Sequence, residues 1–126
     1  MQFIKYHGLG NDFVLLQRTI DELPTISPEL AREICARGQG VGADGVMRAL
    51  PSERADVEME LLNADGTTPE MCGNGIRCLV KYVVEELSYA QQPLRIWTGA
   101  GLRSCSYETD EEGRVHSVRV EMGPAV

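Results

Sequence analysis

The segment MCGNGIRCLVKYVVEELS, residues 71–88, constrains the fold more than any other stretch of this chain. Behind its glycines, Ile76, Leu79, Val80, Val83, Val84 and Leu87 recur at spacings of three and four, the period of an α-helix with an apolar side. That side is broad, which predicts a central helix that other elements must enclose rather than one lying on a surface.

The rest of the chain offers mainly strands to do the enclosing. Phe3 and Lys5 alternate with Ile4 and Tyr6, the glycines of HGLGND interrupt, and the apolar run FVLL resumes, which reads as strand, tight turn, strand. Ser27-Pro28-Glu29 supplies an N-cap, a proline for the first helical position and an early acid, so a helix is expected from Ser27 until Gly38 ends it. RGQGVGADGVMRAL reads as a loop feeding a strand. In ADVEMELLNADG, Val57, Met59 and Leu61 alternate with Glu58, Glu60 and Leu62, a strand with one buried face, and NADG is a turn signal. The last third reads as three short strands around turns at TGAG and DEEG. The expected class is α+β, a single domain over residues 1–126.

Composition removes several function classes. With 126 residues, 43% hydrophobic and 25% charged, the chain can bury a core without disulfide or metal support. Twelve basic against nineteen acidic residues leave a net charge of -7, which argues against nucleic acid as a partner. No window approaches the roughly 18 to 20 apolar residues that span a bilayer, and MQFIKYHGLG lacks the apolar stretch of a signal peptide, so a cytoplasmic location away from membranes is expected. Cys35, Cys72, Cys78 and Cys105 contain no CxxC pair and read as free thiols. They form no recognisable metal set with His7 or His116.

Cys72 differs from the other three in its surroundings. It precedes Gly73-Asn74-Gly75 at the predicted start of the central helix, where unpaired N–H groups and the helix dipole favour negative charge and lower a thiol pKa. Such a thiol can exchange a proton with carbon, while the same N–H groups hold a carboxylate as it gains enolate character. The bland alternative is that a cysteine before a helix is a small buried hydrophobe, and this is the reading given to Cys35, Cys78 and Cys105. Asn11 and Asn63 offer both donor and acceptor, or serve simply as turn formers. Asp12, Asp44 and Asp65 stand beside glycine or in turn contexts and read as caps, and His7 as a packed or turn-satisfying residue.

Taken in order, HGLGNDF, GVGADG, NADG, MCGNGIRC and VEMG closely resemble the amino-terminal half of diaminopimelate epimerases. The resemblance implies a strand-rich, barrel-like half wrapped around a central helix, one of two similar halves with the active site between them. It also implies cofactor-independent epimerisation of LL-diaminopimelate to the meso isomer, used for lysine and peptidoglycan, by two cysteines working in turn. Carried over to this chain, Cys72 is the thiol of this half, Gly73 and Asn74 bind substrate through the MCGNG loop, and Asn11 and Asn63 hydrogen-bond its polar ends. The second cysteine and further ligands belong to the carboxy-terminal half, which is the expected partner; without it the chain is expected to be nearly inactive and open to homodimer formation. At Gly45 the pattern departs, because some members carry a substrate-contacting glutamine there. Rival readings are a proline or hydroxyproline racemase, an isomerase of the phenazine-pathway type, and a non-catalytic binding or assembly module that keeps the half-fold.

Overall fold

The computed structural model describes residues 2–7, 12–17, 26–36, 42–69, 73–89 and 92–121. In chain order these form β1 (Gln2–His7), β2 (Asp12–Gln17), α1 (Pro28–Cys35), β3 (Gly45–Leu50), β4 (Val57–Asn63), α2 (Gly73–Glu85), β5 (Leu94–Thr98), β6 (Gly101–Thr109) and β7 (Val115–Glu121). The strands make one curled seven-stranded sheet whose spatial order is the chain order. The architecture is the expected α+β half-barrel around a central helix.

Two of the neighbouring pairs, β2 with β3 and β4 with β5, are parallel, and the other four are antiparallel. A parallel pair needs a crossover, and α1 and α2 are the two crossovers. Because β3 and β4 run in opposite directions, right-handed crossovers that step the same way along the sheet must place their helices on opposite faces. The side chains agree. Phe13, Leu15, Met47, Val57 and Leu61 pack with Ile76, Leu79, Val80 and Val83 of α2. Val14, Val46 and Leu62 instead pack with Ala31 and Cys35 of α1. The uninterrupted FVLL run of β2 is therefore apolar because both of its faces are covered.

The expected helix start is observed: Ser27 Oγ accepts from Leu30 N–H at 3.1 Å, and Pro28 opens α1. Gly38 lies outside the described residues, and the helix already gives way to extended backbone at Ala36. In α2, seven residues from Gly75 to Val83 are buried. Leu87 differs from its expected place: it is 54% exposed. The last turn widens there, with Leu87 and Tyr89 N–H groups reaching back to the carbonyls of Tyr82 and Val83 and Ser88 taking a left-handed φ of 56°. β4 also departs from a one-faced strand, since Leu62 is buried against α1 as Leu61 is against α2. In the final hairpin a bulge between Glu108 and Thr109 shifts the register, so Val115 is buried although Val118 and Val120 hold the opposite parity.

The α1 face of the sheet holds an ion pair. Arg48 and Glu60 are direct partners across β3 and β4, with Nε to Oε1 at 2.7 Å, and the Arg48 side chain is only 2% exposed. The other carboxylate oxygen of Glu60 accepts from Ile26 N–H at 3.3 Å. Asp56 ties the loop before β4 to β5, accepting from Arg95 N–H at 2.7 Å and from the Tyr89 hydroxyl at 3.0 Å. Burial works against its ionisation, but those hydrogen bonds and the Arg95 guanidinium outweigh it and hold its carboxyl below the usual range.

The NADG turn is clamped from behind by α1. Gly66 N–H bonds to Asn63 carbonyl at 2.9 Å, and Arg32 donates to the carbonyl of Asp65 at 3.1 Å. Gly66 has φ of +89°, and a Cβ there would lie 2.9 Å from Pro28 Cβ and 3.0 Å from its carbonyl oxygen. Two outcomes are expected. Gly66→Ala destabilises the chain by about 2 kcal/mol in urea unfolding, through backbone strain and this collision. Asp56→Asn costs about 2 kcal/mol at neutral pH from lost charge-assisted hydrogen bonds. Because the folded carboxyl titrates below the unfolded one, that stabilisation is complete above the unfolded value of about 3.9 and is lost as pH falls through the folded value, so the two unfolding curves converge in acid.

Candidate functional site

Among the described residues, several of those singled out in the sequence lie at one end of the central strands. The register places Phe13, Gly45 and Asn63 side by side across β2, β3 and β4, and His7 opposite Asp12 across β1 and β2. Asp44 joins these strand ends. Its carboxylate accepts from Asp12 N–H at 2.7 Å, its N–H donates to the Asp12 carbonyl at 2.8 Å, and its carbonyl accepts from Ala64 N–H at 2.9 Å. Asp12 at the start of β2 and Ala64, the residue after Asn63, are thereby held to one residue. Asp44 caps backbone as expected, and so does Asp65, which accepts from Thr67 N–H at 2.9 Å. The Asp12 carboxylate bonds side chains: His7 Nδ1 stands 2.7 Å from Oδ1, and Lys5 Nζ 3.9 Å from Oδ2. His7, with 72% of its side chain exposed, joins the paired ends of β1 and β2 through this bond to Asp12.

Gly45 is explained by crowding. A Cβ there would meet the Leu62 carbonyl oxygen at 3.0 Å and the Phe13 ring at 3.2 Å. In this backbone arrangement the position has little room for a longer side chain reaching toward a ligand.

Gly73 is the first residue of α2 and is exposed, and beyond its chain neighbours and its own helix backbone no atom of the described residues lies within 4 Å of where a Cβ would stand. Among the described residues, none crowds the position where a side chain of residue 73 would project. Asn74, next along, faces a groove of about 470 Å³ that it shares with Tyr6, His7, Arg77, Lys81 and His116. Asn74 and His7 thus line one groove, and His7 bonds to Asp12; Asn63 lies two strands further along the same sheet end. Cys72 and Asn11 lie outside the described residues.

The other three cysteines are buried as expected, at 3% exposure for Cys35, 5% for Cys78 and 0% for Cys105. Burial raises the Cys35 thiol, with nearby Asp44 adding to it, and pushes Cys105 up to about 11. Both shifts disfavour the thiolate. Among the described residues no cluster of His, Cys, Asp and Glu could hold a metal, and no helix is long and apolar enough to cross a membrane. The sequence reading missed Thr67, which donates to Asp65 at 2.6 Å and accepts from Asn63 Nδ2 at 3.0 Å. The signal was present as an Asp followed two residues later by Thr, the spacing of a side-chain turn.

Solved structures with this fold include a hydroxyproline epimerase from Agrobacterium vitis, which covers 94% of the chain and 40% of its own length at a TM-score of 0.71 and 18% identity. A methylitaconate-delta-isomerase aligns over 90% of the chain and 61% of its own length at a TM-score of 0.65 and 14% identity. At these identities the likeness concerns the fold. Sequence relatives are nearer. The diaminopimelate epimerase of Desulfitobacterium hafniense is 46% identical over all of the chain and 45% of its own length. That of Synechococcus elongatus is 51% identical over 99% of the chain and 43% of its own length. The chain thus spans less than half the length of the curated relatives it matches. The sequence profile of diaminopimelate epimerase matches residues 3–126, and with the fold and the relatives in agreement this chain belongs to the diaminopimelate epimerase family.

Proposed function

We propose that this chain is the amino-terminal half of an enzyme that epimerises LL-diaminopimelate to meso-diaminopimelate without a cofactor, and that it supplies one thiol and one wall of the cleft. The observation that carries this reading is the open start of α2. Gly73 is exposed, no described residue beyond its neighbours crowds its Cβ position, and Cys72 precedes it in sequence. Helix N-terminal N–H groups lower the pKa of a neighbouring thiol and favour an oxyanion.

In the proposed reaction the Cys72 thiol or thiolate stands at one face of the substrate α-carbon and a cysteine of the carboxy-terminal half stands at the other. One thiolate removes the α-proton, the electron pair delocalises into the carboxylate, and the opposing thiol returns a proton from the other face. The configuration inverts and the thiol and thiolate exchange places. Gly73 and Asn74 N–H groups stabilise the enolate-like carboxylate, where donors aimed at developing charge contribute most. Asn11 and Asn63 bind the distal end. The need for an acid opposite the base makes the carboxy-terminal half an obligatory partner.

The test is proton NMR of the α-proton of LL-diaminopimelate in deuterium oxide, with the chain alone and mixed with a separately produced carboxy-terminal half. Deuterium is expected to enter only in the mixture; its absence from a mixture shown to be folded and associated favours a non-catalytic binding module instead. Alkylation provides a second check. The chain is expected to carry one fast-reacting thiol at neutral pH, lost in Cys72→Ala and kept in Cys78→Ala, since the other thiols are buried. Equal rates in both variants would sink the assignment of Cys72.

A further inference from the structure

Asn63, Asp65 and Thr67 form a hydrogen-bonded relay just beyond β4. The Thr67 hydroxyl lies 2.6 Å from Asp65 Oδ1, and Asn63 Nδ2 lies 3.0 Å from Thr67 Oγ1. A hydroxyl has one proton to give, and the carboxylate, an acceptor only, takes it. Thr67 Oγ1 can then only accept from Asn63, so the amide atom facing it is the nitrogen, whatever the orientation a free amide would choose. One hydrogen of Nδ2 is committed, and no described residue donates to Asn63 Oδ1.

From this we infer that Asp65 and Thr67 are positioning residues that fix the Asn63 amide with Oδ1 as an atom offered to the ligand, so that this position accepts from a substrate ammonium. The inference rests on the epimerase reading, which places Asn63 at the distal end of the substrate. The frame around the relay is rigid. Asp65 also accepts from Thr67 N–H, Asn63 N–H donates to the Thr67 carbonyl at 2.7 Å, and Arg32 of α1 grips the Asp65 carbonyl. The Thr67 hydrogen bonds hold the Asp65 carboxyl below its usual range, which keeps it an acceptor through the neutral range. An amide with no such relay presents either end at little cost, and discriminates poorly between a donor and an acceptor.

The experiment uses the full-length protein containing this chain and its carboxy-terminal half. Thr67→Val removes the hydroxyl alone; Thr67 is exposed and its backbone bonds to Asp65 and Asn63 do not involve the side chain. Steady-state kinetics with LL-diaminopimelate are compared with competitive inhibition by α-aminopimelate, which lacks the distal ammonium. Thr67→Val is expected to raise KM about tenfold, the loss of one orienting hydrogen bond, with kcat within about twofold. Thr67→Ser is expected to restore KM, and inhibition by α-aminopimelate to be equal in all three proteins. An unchanged KM in Thr67→Val, an equal loss of affinity for both compounds, or failure of serine to rescue would overturn the relay, the rescue deciding alone where the analogue does not bind. Absence of turnover in the unmutated protein would instead overturn the epimerase reading and this inference with it.

Discussion

The antiparallel pairing of β3 with β4, from Gly45 opposite Asn63 to Leu50 opposite Glu58, reverses the strand direction in the middle of the sheet. Each side of that reversal carries one parallel pair and one crossover helix. Had β4 run with β3, the same handedness would have placed both helices on one face and left the other to water. The reversal gives β2, β3 and β4 a helix on each face. It also brings the start of β3 and the end of β4 together, so Gly45 and Asn63 face one another where a ligand site is proposed.

A site at the end of such strands inherits their rigidity. Asp12 and Ala64 are bonded through Asp44, the NADG turn leans on α1 through Gly66 and Arg32, and α2 starts beside His7. Asp44 and the NADG turn are therefore fixed to elements with a buried face. Preorganisation of this kind lowers the entropy lost on ligand binding.

The sequence made the elements legible because their periods are local properties. The three-and-four spacing of α2, the Ser-Pro start of α1 and the turns at NADG, TGAG and DEEG each need only a few neighbouring residues to be recognised. What escaped depends on distant parts of the chain. Arg48 sits among apolar neighbours in GVMRAL, and only the β3 to β4 register reveals Glu60 as its partner. Leu62 reads as the outward residue of an alternating strand until α1 covers it. Leu87 continues the helical period of α2, but the widened last turn carries it into solvent. For the site, the family motifs pointed to Asn63 and Asn74, whereas Thr67 emerged only once side-chain hydrogen bonds were visible. Cys72 and Asn11 are assigned from the motifs alone.

The pair sealed between Arg48 and Glu60 gives the centre of the sheet a distinct response to heat. The two charges lose hydration when the sheet forms, and that penalty shrinks as temperature rises because ordering water around ions costs entropy. Apolar burial levels off over the same range. The contact between β3 and β4 therefore gains weight relative to the packing of α1 and α2 on warming.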